Sequence, residues 1–192
     1  VPATGSITLA AGAIAQINYN SGVGTFISHL GNASVGSVAL NVSDSEALDF
    51  TNAGSAVLGS TGAAGVTYSG TITPNGQTYR FGGGTNSNYL NAFTISSTLG
   101  DVNSLPTNVI VSAPSAPKRV TVVMSGTNTY TGATTITSSG VNQLSANILA
   151  NGGVASSIGE SSNAAANLIL NNGTLAYTGS AFTSTDRLFT IG

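Results

Sequence analysis

The chain of 192 residues contains no cysteine and no tryptophan, and only four Lys or Arg against six Asp or Glu. Without cysteine, disulfides cannot hold the fold and thiol chemistry is excluded. Charged residues make up 5% of the chain, against about 25% in an ordinary soluble protein. The formal net charge is −2 and 41% of residues are hydrophobic, so the chain lacks the high charge that keeps disordered sequences open. Arg80, Lys118, Arg119 and Arg187 are spread too thinly to neutralise a phosphate track, so no nucleic-acid partner is expected. The longest mostly apolar stretch, LAAGAIA at 9–15, falls far short of the ~18–20 residues of a membrane helix. Helix formers are scarce and Gly numbers 25, which disfavours helices. The best helical candidates are LSANILANGG (144–153), which reads as no more than a short turn or loop excursion, and, more weakly, SSNAAANL (161–168). The chain starts at Val1, as a mature form after signal removal or a piece of a longer protein would.

What is present is a series of short stretches alternating apolar residues with Ser, Thr or Asn. They include 6–11, 13–19, 24–30, 37–43, 47–52, 55–60, 65–73, 78–83, 92–98, 107–113, 119–126, 133–140, 167–173, 174–179 and 187–192. Period-two alternation between Gly, Asn and Ser clusters predicts strands with one buried and one wet face. Three stretches share the form [TA]-Y-[ST]-G, around Tyr68-Ser69-Gly70, Tyr130-Thr131-Gly132 and Tyr177-Thr178-Gly179. Their spacing fits a coil of about 20–24 residues per turn. A parallel β-helix of roughly eight or nine coils, a rod about 40 Å long, accounts for the pattern. Stacked coils place like residues in ladders about 4.8 Å apart. Like charges repel at that distance, whereas Thr, Ser and Asn stack and hydrogen-bond, and the scarcity of charge follows. The stretch DVNSLPTNVIVSAPSAPK (101–118), with Pro106, Pro114 and Pro117, predicts an irregular loop between coils of one domain spanning 1–192.

SGTNTYTGATTITSSGVNQLSA (125–146) resembles the autotransporter-associated β-strand repeat, N-x-Y-[ST]-G-x-T-x-[IV]-x-x-G-x-L-x-[LV]. Asn128, Tyr130, Thr131, Gly132, Thr134, Ile136 and Leu144 sit near its positions. SSGVNQL departs from the tighter ending usual in the repeat. SEALDFTN (45–52) followed by YSGTITPNGQTYRFGGG (68–84) resembles segments of the same proteins, as does LILNNGTLAYTG (168–179) followed by STDRLFTIG (184–192). The resemblance implies an all-β, right-handed parallel β-helix (β-solenoid) at a bacterial cell surface or in the extracellular space. RLFTIG reads as a strand opening another coil, so either a longer chain or a neighbouring molecule is expected to follow it.

No catalytic, cofactor-binding or metal-ligating set is expected. Asp44 and Glu46 would share one face of a strand, with Asp49 near them, as a carboxylate pair or a cation site requires; a solvated coil corner is the plainer reading. His29 in GTFISHLG reads as a strand residue and Arg80 in TYRFGGG as a surface or stacking residue, and no G-x-S-x-G elbow occurs. Gly82-Gly83-Gly84 is followed by neither Lys-Ser/Thr nor a helix pattern, so it is not a phosphate loop. Asn32, Asn41 and Asn172 begin N-x-[ST] sequons. The residues expected to carry the repeat by packing are Tyr68, Gly70, Asn128, Tyr130, Gly132, Tyr177 and Gly179. The three tyrosines would form one column, packed in the core or, if exposed, open to surface glycans. The expected function is that of a structural or adhesive solenoid associating head-to-tail with itself into a filament through uncapped, uncharged ends. The alternatives are a passenger segment of a larger adhesin without self-assembly, and a glycan-active lyase or hydrolase.

Overall fold

A computed structural model describes residues 6–61, 65–84, 92–113, 121–137, 143–181 and 183–192. Its strands are β1 (Ile14–Ile17), β2 (Ser37–Leu40), β3 (Leu48–Asp49), β4 (Val57–Ser60), β5 (Val66–Tyr68), β6 (Ile72–Thr73), β7 (Thr78–Phe81) and β8 (Ala92–Ile95). They continue as β9 (Asn108–Val111), β10 (Thr121–Met124), β11 (Thr134–Thr137), β12 (Gln143–Ala146), β13 (Leu168–Asn171), β14 (Thr174–Tyr177) and β15 (Thr190–Ile191). An eight-stranded sheet runs β1-β2-β4-β7-β9-β11-β13-β15, a five-stranded sheet runs β14-β12-β10-β8-β5, and β3 pairs with β6. Every pairing between these strands is parallel. Nearly all-β architecture with long parallel sheets is the arrangement of a β-solenoid.

Parallel stacking turns one inward position per strand into a continuous row. In the five-stranded sheet Tyr68, Ile95, Met124, Ala146 and Tyr177 are successive register partners. In the long sheet Leu58, Phe81, Val111 and Ile136 follow one another, then Leu170 and Ile191. Tyr68, Ile95, Met124, Ala146, Leu58, Phe81, Val111 and Ile136 are all buried. Tyr79 and Phe81 stack with ring centroids 6.3 Å apart and planes 6° from parallel. Each fully buried side chain of this size contributes roughly 1.5–3 kcal/mol.

The alternate row, Thr67, Thr94, Val123, Ser145 and Ala176, is uncharged and built of small or β-branched residues; Ser145 in it is buried and the others are half-buried. Among the described strand pairs no charged residue faces another: Asp49 partners Thr73 and Arg80 partners Ile110. Two like charges 4 Å apart repel by about 1 kcal/mol in bulk water and about 4 kcal/mol near a protein surface. A ladder repeats that penalty at every coil.

The structure corrects several expectations. Register partners are 20 residues apart at Ser37 and Val57 but 34 apart at Thr134 and Leu168. The coil length therefore exceeds 20–24 residues wherever a loop is inserted between strands. The stretch 24–30 is not a strand: Val23–Ser28 is α-helix α1. Val23 and Ile27, spaced i, i+4, are its buried residues, and Leu30 just past its end is buried beside them. The helix packs on β3 and covers the β3/β6 side of the core. One end of the core thus carries a helix where neither end was expected to be capped.

The stretch 144–153 forms a turn and loop after its first residues, which belong to β12, where Leu144 partners the buried Val122 and the half-buried Leu175. Within 161–168 only a 3₁₀ turn, Ala165–Asn167, forms before β13. Within the Pro-containing stretch 101–118 the strand expected over 107–113 does form, as β9, pairing with β7 and β11, and the irregular part described is 101–107. Pro114 and Pro117 lie outside the described residues.

Backbones stacked this closely leave no room for a side chain at some turns. A Cβ on Gly59 would collide with the carbonyls of Gly82 and Gly83 one coil on. The run Gly82-Gly83-Gly84 therefore serves close coil stacking. Gly59→Ala is expected to destabilise by about 3 kcal/mol. Gly65→Ala meets nothing within 4 Å and should be neutral; urea unfolding of the two variants checks the contrast.

Candidate functional site

Asp44, Glu46 and Asp49 surround the turn between β2 and β3, and the chain commits each to its own backbone. Glu46 accepts hydrogen bonds from the N–H groups of Gly22 and, at 2.9 Å, Gly24. These are orphan donors at the start of α1, a favourable place for a carboxylate. The bonds hold the Glu46 carboxyl below its usual range. Asp49 accepts from the Thr51 N–H at 2.9 Å, and bonds from the side chain and backbone of Thr51 hold it low as well. Asp44 Oδ1 accepts from the Glu46 N–H at 2.7 Å, whereas Oδ2 is buried without a partner. Burial pushes the Asp44 carboxyl up, the Glu46 bond opposes this, and the Glu46 charge adds to the rise.

Asp44 and Glu46 therefore do not face each other across one strand as a catalytic carboxylate pair requires. A polar cleft of about 200 Å³ lined by Asn20, Ser43, Asp44, Ser45, Thr67 and Ser69 lies beside them. The unpartnered oxygen of Asp44 is sealed away from solvent rather than open to it. Among the described residues no three His, Cys, Asp or Glu side chains gather as metal ligands.

The other isolated polar residues are similarly committed. His29 Nδ1 lies 2.7 Å from the Thr25 carbonyl at the end of α1. Arg80 donates to the Thr78 carbonyl at 3.1 Å, and burial lowers its pKa. Arg187, noted in the sequence only as one of four scattered basic residues, is 8% exposed. Its guanidinium donates to Ser161 Oγ and to the carbonyls of Ala150, Asn151, Val154 and Gly159. These bonds tie the last described segment to the loop after β12. Nothing in its local sequence marks it, because its partners are carbonyls 28 to 37 residues back.

The repeat residues separate into two groups. Tyr68 and Tyr177 occupy one row of the five-stranded sheet, but Tyr130 lies beyond β10, where the Thr129 and Tyr130 N–H groups bond the Leu99 carbonyl. The three tyrosines do not make one column. They share a local geometry instead: each hydroxyl reaches over the intervening glycine to a group three or four residues on. Tyr68 donates to the Thr71 carbonyl at 2.7 Å, Tyr177 donates to the Ala181 carbonyl at 2.6 Å, and Tyr130 shares a 2.7 Å bond with Thr134 Oγ1. A Cβ on Gly70 or Gly179 would strike the tyrosine hydroxyl, and one on Gly132 would strike the Thr107 carbonyl. Tyr68 and Tyr130 are fully buried while Tyr177 is 39% exposed. Burial drives both buried phenols to pKa values well above the ordinary.

Asn128 joins three layers: it accepts from the Leu99 N–H at 2.9 Å and donates to the Ser157 carbonyl at 2.9 Å, each 29 residues away. Asn128→Ala would leave both partners buried and unsatisfied, a loss on the order of 3 kcal/mol, readable as a lower urea midpoint.

Asp44→Asn has a signed pH dependence. A carboxyl raised from 3.8 in the folded state resists ionising there, so wild type should lose stability relative to the variant as pH rises above 3.8. Below that pH the difference should level off; melting curves at pH 3 to 7, on the order of one per pH unit, measure it.

No protein-family model matches the chain, and no solved structure matches it. A 69-residue stretch is 64% identical to the adhesin BmaC autotransporter of Brucella suis biovar 1 (strain 1330), covering 35% of this chain. The match takes in about 2% of the length of that protein, so similarity to an autotransporter adhesin is the relation found.

Proposed function

We propose that this chain is an adhesin-like passenger segment: one right-handed parallel β-helix of eight or nine coils, displayed at a bacterial cell surface or beyond it. The observation that carries this reading is the 64% identical stretch shared with an autotransporter adhesin. The eight-stranded parallel sheet and its buried inward rows support it physically. A stack of this kind projects a surface away from its anchor through main-chain pairing alone. Adhesion rather than catalysis also fits Glu46 and Asp49, whose carboxylates serve nearby backbone N–H groups.

A second reading, self-association into a filament, has its own support. β14 and β15 are sheet edges, and Leu188, Phe189 and Ile191 beside them are 60%, 54% and 75% exposed. Unpaired strand edges with apolar neighbours template another chain. The opposite end is dissimilar, since α1 packs on β3 there. An arriving copy would meet the edge strand β1 of the long sheet but a helix beside it.

Beads coated with the chain are expected to attach to cultured epithelial cells above the level of albumin-coated beads; equal attachment overturns the adhesin reading. Sedimentation over a concentration series is expected to show association that Ile191→Asp abolishes; a monomer throughout overturns the filament reading.

A further inference from the structure

Three Asn-Gly pairs lie among the described residues: Asn75-Gly76, Asn151-Gly152 and Asn172-Gly173. A glycine carries no side chain, so its backbone nitrogen can approach the side-chain carbon of the asparagine before it. Such a pair is a place where a chain can react with itself. In sequence the three are alike; the fold separates them.

At Asn75 the side-chain amide is tied elsewhere, because Nδ2 donates to the Thr51 carbonyl at 2.7 Å. Asn172 forms the turn from β13 to β14 with φ of 56°. At Asn151 the segment after β14 lays Asp186 across the pair. The Gly152 N–H donates to Asp186 Oδ1 at 2.8 Å, and the Asp186 N–H donates to Asn151 Oδ1 at 3.1 Å. Among the described residues only Gly152 of the three glycines donates to a carboxylate. A general base stands ~2.6–3.2 Å from the atom it deprotonates. A donor to a developing oxyanion stands ~2.7–3.1 Å from it. Asp186 meets both conditions at once, one on each partner of the reaction.

Its neighbours hold it there. Asp186 Oδ2 accepts from Asn163 Nδ2 at 3.3 Å, while Thr185 Oγ1 and Arg187 Nε donate to the Ala150 carbonyl at 2.9 and 3.1 Å. Gly152 also has a packing reason, since a Cβ there would strike the Asn163 nitrogen. That packing explains the glycine. It requires neither a carboxylate on the Gly152 N–H nor an asparagine before it. Asn151 is exposed, which leaves a path for water to enter and ammonia to leave.

We propose that Asn151 is a self-modifying site, converting to aspartate or isoaspartate with Asp186 as the catalytic base. The inference stands apart from the adhesin reading. The Asp186 carboxylate takes the proton of the Gly152 nitrogen as that nitrogen bonds to Asn151 Cγ. The carbonyl electron pair moves onto Oδ1, where the Asp186 N–H meets it. The pair then returns, the Cγ–Nδ2 bond breaks, and Nδ2 leaves as ammonia with the proton handed back by Asp186. A five-membered cyclic imide remains. Water opens it at Cγ to give aspartate, or at the main-chain carbonyl to give isoaspartate. Either product adds a negative charge beside Asp186.

The test ages the folded chain in phosphate buffer at neutral pH and locates converted asparagines by mass spectrometry of digests. Asp186→Asn is aged beside it. This variant keeps the N–H to Asn151 and an oxygen for Gly152, so it should melt with wild type and lack only the base. The expected result is conversion at Asn151 ahead of Asn75 and Asn172 in the folded wild type, and about a hundredfold slower conversion in the variant. In urea, where the bonds of Asp186 are lost, the two chains should convert Asn151 equally. Asn151 reacting no faster than Asn75 and Asn172 in the folded wild type overturns the site, and that comparison needs no variant. Equal rates in the folded wild type and the folded variant overturn the role of Asp186. Chain scission between Asn151 and Gly152 overturns the proposed attack, because it requires Asn151 Nδ2 as the nucleophile.

Discussion

Parallel strands stacked in register, about 4.8 Å apart, impose the condition that the rest of this molecule obeys. Whatever stands at one position of a coil stands against the same position of the coils before and after it. Inward, the condition favours continuous apolar rows such as Leu58, Phe81, Val111 and Ile136. Outward, it disfavours charge, because a repeated charge repels its own copies. In the turns it brings backbone against backbone, and glycine is retained where a Cβ would strike a carbonyl, as at Gly59.

The same condition explains where polar groups are buried. A side chain that leaves the row has to satisfy donors and acceptors on adjacent layers, and Asn128 does so in both directions. Arg187 meets the same demand with main-chain carbonyls and one serine in place of a carboxylate. The tyrosine hydroxyls find acceptors a few residues on, closing turns over a glycine. The carboxylates follow this pattern too, which is why their spacing in sequence suggests chemistry that their geometry does not provide.

The ends of the stack differ in kind. Along each row burial declines toward its last described member: Tyr177 after Ala146 in one sheet, Ile191 after the half-buried Leu170 in the other. At the other end α1 lays Val23 and Ile27 on the core in place of a strand.

The sequence by itself determined the material of this protein: short alternating segments, scarce charge, abundant glycine and no disulfide. These properties are local or compositional, so they predict a β-solenoid and nearly all of its strands. It left undecided whatever depends on partners 20 to 37 residues away. Val23 and Ile27 carry a helical spacing that was visible, but flanking glycines and a period-two run concealed it, and Glu46 from the next coil supplies the missing helix-start acceptor. Gln143–Ala146 was not among the predicted strands and is one because Val122 and Leu175 stand on either side of Leu144. The shared Tyr-x-Gly motif was legible, yet only two of its copies, Tyr68 and Tyr177, share a row while Tyr130 lies outside it, because loops of unequal length shift the register between coils. Only the tertiary structure could decide these points, since a residue's neighbours in a solenoid are set by coil length, and coil length is the sum of turns that no local pattern records.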